Sequence, residues 1–273
     1  MPCTSDHQRC AGGLGFTIIE LLVSLSVIAV LFSITIPALR GAHKAATAVE
    51  CLATVRGILV GHRLWSAAHK SRWLTIAIPP GDSIHSTLEA GYTGYDIEGI
   101  DLGYVWPVVI REYVDGARES GETMSCPEVQ RNRPDLMNEP MRAHVVAFRS
   151  YWYSPTLCTT SRLWDDGDPG SRALRRRPND HIMAVLLSDV VSPSHKVAMF
   201  EHHDHHGDGA KITPQMTAKV SLGFADGHAD RRPVDEAATP VGGIKWPFEQ
   251  RIFQDGEAVP FAATPLGFSG RDY

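Results

Sequence analysis

The sequence predicts an α+β protein in which a long N-terminal helix, its first half fit to cross a membrane, packs on an antiparallel β-sheet head. Three observations carry this. From Leu21 to Leu39 there are 19 residues without a charged side chain, enough to cross a hydrocarbon core. Past Arg40 the pattern turns amphipathic: Val49, Leu52, Val55, Ile58, Leu59 and Leu64 recur largely at spacings of three and four, one apolar stripe on a continuing helix. Beyond residue 70, Gly and Pro recur often enough to break long helices, and short β-branched or aromatic runs stand between turn formers.

The first element is the apolar run, and its kind follows from what flanks it. A secretory signal is a short apolar region followed by a small-residue cleavage site; here the small residues, "AGGLG", come before a longer run. A soluble core helix would keep a polar face, whereas this one is apolar all round. Its only polar interruptions, Ser24, Ser26, Ser33 and Thr35, can bond to their own helix backbone. A membrane span remains, and a plain anchor leaves Glu20 unexplained. An ionised carboxylate in that position costs about 2 to 3 kcal/mol on the insertion scale and marks a specific partner. Cleavage between Gly15 and Phe16 would create one, because the new amine at Phe16 stands one helical turn from Glu20, on its own or a neighbouring chain.

The block "GFTIIELL" resembles the type III signal of the type IV pilin and pseudopilin superfamily. It has a glycine before the cut, Phe16 after it, Glu20 at mature position five and then an apolar helix, with Pro37 at mature position 22. The resemblance implies a leader, residues 1–15, removed by a prepilin peptidase that also methylates the Phe16 amine. It implies a transmembrane helix over 16–39, an amphipathic continuation over 40–69, and a pilin-like head over 70–273 in the periplasm. The protein would be a single-pass inner-membrane subunit that joins other pilin-like subunits in a homo- or hetero-filament of a type II secretion or type IV pilus-like system. A separate assembly ATPase and platform protein would drive it. Flanking charge alone, with Arg9 offset by Asp6 and Arg40, Lys44 and Arg56 after the span, points the C-terminal side to the cytoplasm; the resemblance implies the opposite orientation, which we adopt.

Within the head, strands are expected at 144–154, 181–189, 196–201 and 219–227, with 155–180 and 231–273 rich in loops and Arg175, Arg176 and Arg177 solvated. The stretch "KVSLGFADGHADRR" resembles the C-terminal part of large pseudopilin-like proteins of the processing-associated family, in which a histidine precedes an Asp-Gly turn. Phe224, Asp226 and Gly227 match that pattern; the histidine's position holds Met216. "SCPEV", "SYWYS" and "GFSGRDY" resemble it as well.

The densest group of metal-ligating side chains is "EHHDHHGDG". His202, His203, His205, His206 and Asp208 suit a divalent transition metal, but the run follows a strand and lacks the helical His-Glu-x-x-His spacing of a metalloprotease. A solvated polar loop and a metal site are the two readings. The five cysteines, Cys3, Cys10, Cys51, Cys126 and Cys158, include no Cys-x-x-Cys pair, which argues against a structural metal built on thiolates. Cys126 and Cys158 are either a disulfide or two separate buried thiols. "GDSIHS", residues 81–86, reads as the turn after the helix.

A net charge of −5 gives no basic surface for nucleic acid. With neither a Walker A loop nor a Gly-x-Gly-x-x-Gly run, the chain carries no ATP motor of its own. The leading expectation is therefore a structural subunit, no enzyme, without a cofactor. The alternative is a membrane-tethered enzyme or metal-binding protein with the His-rich loop as its site.

Overall fold

The computed structural model describes residues 17–74, 102–114, 124–132, 150–174, 183–207, 209–241, 253–254, 257–258 and 260–273. The leader with Gly15 and Phe16, the "GDSIHS" segment, Arg175, Arg176, Arg177 and Asp208 lie outside the described residues. The fold is α+β, a long N-terminal helix and a four-stranded antiparallel sheet. The chain forms two compact units, residues 1–45 and 46–273.

Helix α1 spans Ile18–Ala68, 51 residues, and its start is written in the sequence as Thr-x-x-Glu. The Thr17 hydroxyl oxygen accepts the Glu20 N–H at 3.2 Å, while Glu20 Oε2 accepts the Thr17 N–H at 2.9 Å and its hydroxyl at 2.8 Å. This is a reciprocal capping box, which satisfies two donors that a helix end leaves open. Ser24, Ser26, Ser33 and Thr35 donate to the carbonyls of Leu21, Leu22, Val30 and Leu31, so no hydroxyl of the apolar run is left without a partner. Pro37 lies inside the helix and does not end it; one missing N–H is one lost bond in a rod that continues on both sides. The helix stops where Lys70 and Ser71 take left-handed conformations, φ 59° and 58°. The Ser66 hydroxyl holds that turn by donating to the Arg72 carbonyl at 2.6 Å.

In the second unit α1 buries Ala48, Cys51, Val55, Ile58, Leu59, His62 and Trp65. This corrects the expected stripe, since Val49 is 66% and Leu64 51% exposed. On this face the helix approaches the sheet closely at Gly223. A Cβ there would come within 2.6 Å of Val55 Cγ1 and 2.9 Å of Leu59 Cδ1, so only glycine lets helix and strand meet.

The sheet runs β1 (Tyr151–Tyr153), β2 (Val197–Glu201), β3 (Lys219–Phe224), β4 (Ala229–Pro233), in that order and antiparallel throughout. Trp152 pairs with Phe200, Phe200 with Leu222 and Leu222 with Asp230. β2 is buried along its whole length, which places the end of this strand, Glu201, in the interior. A two-stranded ribbon of β5 (Phe253–Gln254) and β6 (Glu257–Ala258) stands apart in the pairing scheme. The β3–β4 turn needs Gly227 at φ 95°, a conformation glycine adopts without steric cost.

Three expectations are corrected here. The 181–189 strand is a short 3₁₀ turn, Leu187–Asp189, with one bridge between Arg72 and Leu186; the Asp189 carboxylate accepts the Leu186 N–H at 2.9 Å and closes it. β4 lies mostly in the stretch read as loop, since a polar edge strand carries no apolar alternation. Helix α2 (Leu102–Val114), with Trp106 and Ile110 fully buried, was hidden by Pro107. Shorter helices are α3 (Pro127–Asn132) and α4 (Ser171–Leu174). Of the expected strand 144–154, residues 151–153 are β1 and 144–149 lie outside the described residues.

The C-terminus closes the head from inside. Lys196 and Asp272 form a buried ion pair at 3.3 Å. Lys196 Nζ donates to the Thr264 hydroxyl at 2.6 Å, and Asp272 Oδ2 accepts the Val197 N–H at 2.7 Å. Burial lowers the Lys196 pKa, and Asp272 opposes that shift. Because removing one partner strands the other charge, Asp272→Ala should cost about 3 to 5 kcal/mol. Urea unfolding of the full chain in detergent, followed by tryptophan fluorescence, measures it.

His62 makes the head acid-sensitive. It is buried, stacked on Tyr153 with ring centroids 5.0 Å apart, and neither ring nitrogen has a hydrogen-bond partner among the described residues. Burial, with the nearby Arg63 charge as a smaller cause, lowers its pKa from 6.5 to about 3. The unfolded chain thus binds a proton that the folded head refuses, so stability is full above the ordinary histidine pKa and falls as pH drops toward the depressed one. From pH 7 to pH 5 the loss is about 2 kcal/mol. His62→Phe should flatten that slope in the same urea measurement.

Candidate functional site

The apolar part of α1, Ile18 to Leu39, offers a surface and one charge. From Ile18, 80% exposed, to Leu39, 71% exposed, every large apolar side chain on α1 is exposed. Among the described residues this is the one helix long and apolar enough to cross a membrane. Glu20 is the sole charged residue between Ile18 and Leu39, and both of its bonds to Thr17 fall on Oε2. Pro37 sits near the other end of this surface.

In the second unit the His-rich run is a closed turn. His203 bridges to Lys211; the Asp204 N–H donates to the Ala210 carbonyl at 2.8 Å and the Gly209 N–H to the Asp204 carbonyl at 2.9 Å. The turn separates the four histidines expected to act together. His202, stacked on Trp152 at 4.7 Å, stands with His203 and His205, their ring nitrogens within 4.8 Å of one another. His206 belongs to a different group, with Nε2 3.3 Å from Glu201 Oε1 and 3.8 Å from Cys126 Sγ.

That second group is built around the disulfide. Cys51 and Cys126 are bonded, Cα to Cα 5.1 Å, across 75 residues of sequence. This corrects the pairing considered for Cys126. Cys158 is a buried free thiol that donates to the Pro155 carbonyl at 3.1 Å, and burial raises its pKa well above the ordinary range. A loop of that length makes the bond worth about 4 kcal/mol in the chain-entropy account. The signal for Cys51 was present in sequence: it lies three residues from Ala48 and four from Val55, on the buried face of α1.

Glu201 was named in the sequence only as one member of a polar run, yet its side chain is fully buried. Oε2 accepts the Ser221 N–H at 2.7 Å; Oε1 has no hydrogen bond of good geometry among the described residues and faces His206. The Tyr151 hydroxyl donates to the Cys51 carbonyl at 3.2 Å, and burial first, then the Glu201 and Glu50 charges, raise its pKa well above the usual phenol range. Sequence reasoning missed Glu201 because a carboxylate ending an apolar strand reads equally as a strand terminator. No family model, curated protein or solved structure matches the chain.

Proposed function

We propose that this chain is a pilin-like structural subunit. It is cut between Gly15 and Phe16 by a prepilin peptidase, anchored in the inner membrane by α1 with the head in the periplasm, and assembled through helix packing into a type II secretion or type IV pilus-like filament. The observation that supports this reading is the pairing of an uncovered apolar helix, Ile18 to Leu39, with a single carboxylate, Glu20, in register with the cleavage motif.

Lipid covers the apolar surface in the unassembled subunit. In the filament neighbouring helices replace lipid, and since lipid tails are as apolar as leucine, the gain comes from packing and from satisfying polar groups. Glu20 is the polar group that gains most, meeting the amine that processing creates at Phe16. On this reading the chain catalyses nothing. The energy of assembly comes from a separate ATPase working through a platform protein.

The capping box supplies a sharp test. Glutamine also serves in such a box, so Glu20→Gln keeps the helix start and removes only the charge. Membrane insertion should be unchanged, while losing about 2 kcal/mol of pairing reduces incorporation into sheared filaments roughly thirtyfold. Wild-type incorporation of Glu20→Gln, with loss confined to Glu20→Ala, would assign Glu20 to capping and remove the charge argument. Intact mass measurement of the membrane-extracted chain should give an N-terminus at methylated Phe16; Met1 retained in cells with an active peptidase overturns the proposal.

A further inference from the structure

Four side chains from three separate segments of the head converge on one buried point. Cys51 comes from the sheet-facing side of α1, Cys126 from the residue before α3, Glu201 from the end of β2 and His206 from the turn after it. One ligand atom of each lies within 4.8 Å of all the others. Cys51, Cys126 and Glu201 are fully buried, and the His206 side chain is 4% exposed. A disulfide is neutral and asks for neither a carboxylate nor an imidazole beside it. A buried carboxylate oxygen without a hydrogen bond is costly, and Glu201 Oε1 is such an oxygen, aimed at this point.

We propose that Cys51, Cys126, Glu201 and His206 form a tetrahedral zinc site when the two cysteines are reduced, so that disulfide and metal are alternative ways of closing the same junction. Two thiolates, an imidazole and a carboxylate are a complete ligand set for this borderline-soft dication. Zinc–ligand bonds of about 2.0 to 2.3 Å place neighbouring ligand atoms about 3.3 to 3.8 Å apart. His206 Nε2 already stands 3.3 Å from Glu201 Oε1 and 3.8 Å from Cys126 Sγ; the two bonded sulfurs have to part, and the other pairs lie within 4.8 Å. The ligands are held from outside the group. Glu201 Oε2 is fixed by the Ser221 N–H at 2.7 Å, the Cys126 N–H donates to the Ser150 hydroxyl at 2.9 Å, and the Tyr151 hydroxyl holds the Cys51 carbonyl at 3.2 Å. Such outer contacts orient metal ligands.

The redox step balances with an external dithiol. The S–S bond breaks, two electrons and two protons pass to Cys51 and Cys126, and the dithiol leaves as its own disulfide. Zinc then displaces the two thiol protons to solvent. The spacing rules that argued against a thiolate metal site fail here because the ligands come from distant segments and not from a local Cys-x-x-Cys. The inference concerns the head alone and stands or falls independently of the filament reading.

The test uses the full chain in detergent, either oxidised or reduced with a water-soluble phosphine, dialysed against zinc or cobalt(II) and assayed by elemental mass spectrometry. The reduced chain should hold about one zinc per chain and the oxidised chain none above background. The cobalt form should show a thiolate-to-metal charge-transfer band with intense tetrahedral d–d bands. His206→Ala should weaken zinc binding at least about tenfold, whereas replacing His202, His203 and His205 with Ala should leave the stoichiometry unchanged. Reduced chain without stoichiometric zinc, equal uptake by both redox forms, or a cobalt spectrum without the thiolate band overturns the proposal. If His206→Ala does not fold, the wild-type redox comparison and the cobalt spectrum decide.

Discussion

α1 has to satisfy its own backbone over 51 residues, because among the described residues its first half leaves every large apolar side chain exposed and its second half is covered on one side only. That constraint governs the rest. Hydroxyls in the apolar half turn back onto the helix, and Thr17 and Glu20 close the first turn upon themselves, as a helix that is to enter hydrocarbon requires, where no water would complete an open hydrogen bond. From Ala46 onward the helix can afford one-sided burial, and the head is the surface that covers that side. Gly223 gives up its side chain so that Val55 and Leu59 can lie on β3, and the disulfide ties the same helix face to the start of α3.

How much of this was legible varies with how local the cause is. A helix apolar on every face and its continuation past Arg40 are properties of neighbouring positions, and they read correctly; the Thr17–Glu20 capping box, equally local, goes unread, because in sequence Glu20 stands out only as a charge seeking a partner. β2 and β3 read correctly as well, because both are buried and carry continuous apolar or β-branched runs. The helix face did not: its orientation is set by where Gly223 and Gly61 let other elements approach, and nothing in residues 46–68 reports the position of β3. Among the described residues β4 pairs with β3 alone and is partly exposed, so its sequence, "ADRRP", keeps no periodic signal, and α2 was concealed because Pro107 stands inside it, past the first turn, where proline reads as a helix breaker.

The His-rich run shows the same limit at the level of a site. Its composition correctly marks a place where ligating side chains gather, but composition cannot divide them. The turn closed by Asp204 with Ala210 and Gly209 sets His202, His203 and His205 together and sends His206 to Glu201. Cys51 and Cys126 then complete a second group whose members are 75 residues or more apart except for Glu201 and His206. Chain separation of that order is invisible to motif spacing, whereas a cysteine at the centre of a buried helical stripe is visible and points to a partner across the core.

Glu20 and Glu201 pose one electrostatic problem in two settings. A carboxylate placed among apolar groups is tolerated only where something meets its charge. Glu201 is met only in part within the fold: one oxygen takes the Ser221 N–H, and the other faces His206 at 3.3 Å without a hydrogen bond of good geometry among the described residues. β2, β3 and the turn after β2 place all three groups. Glu20 stands on a lone helix with only Thr17 to bond, and two hydrogen bonds from neutral donors do not discharge it. On the reading proposed above, the partner for Glu20 comes from a chain terminus or from another molecule, so that the same residue type is structural in the head and a determinant of assembly in the anchor.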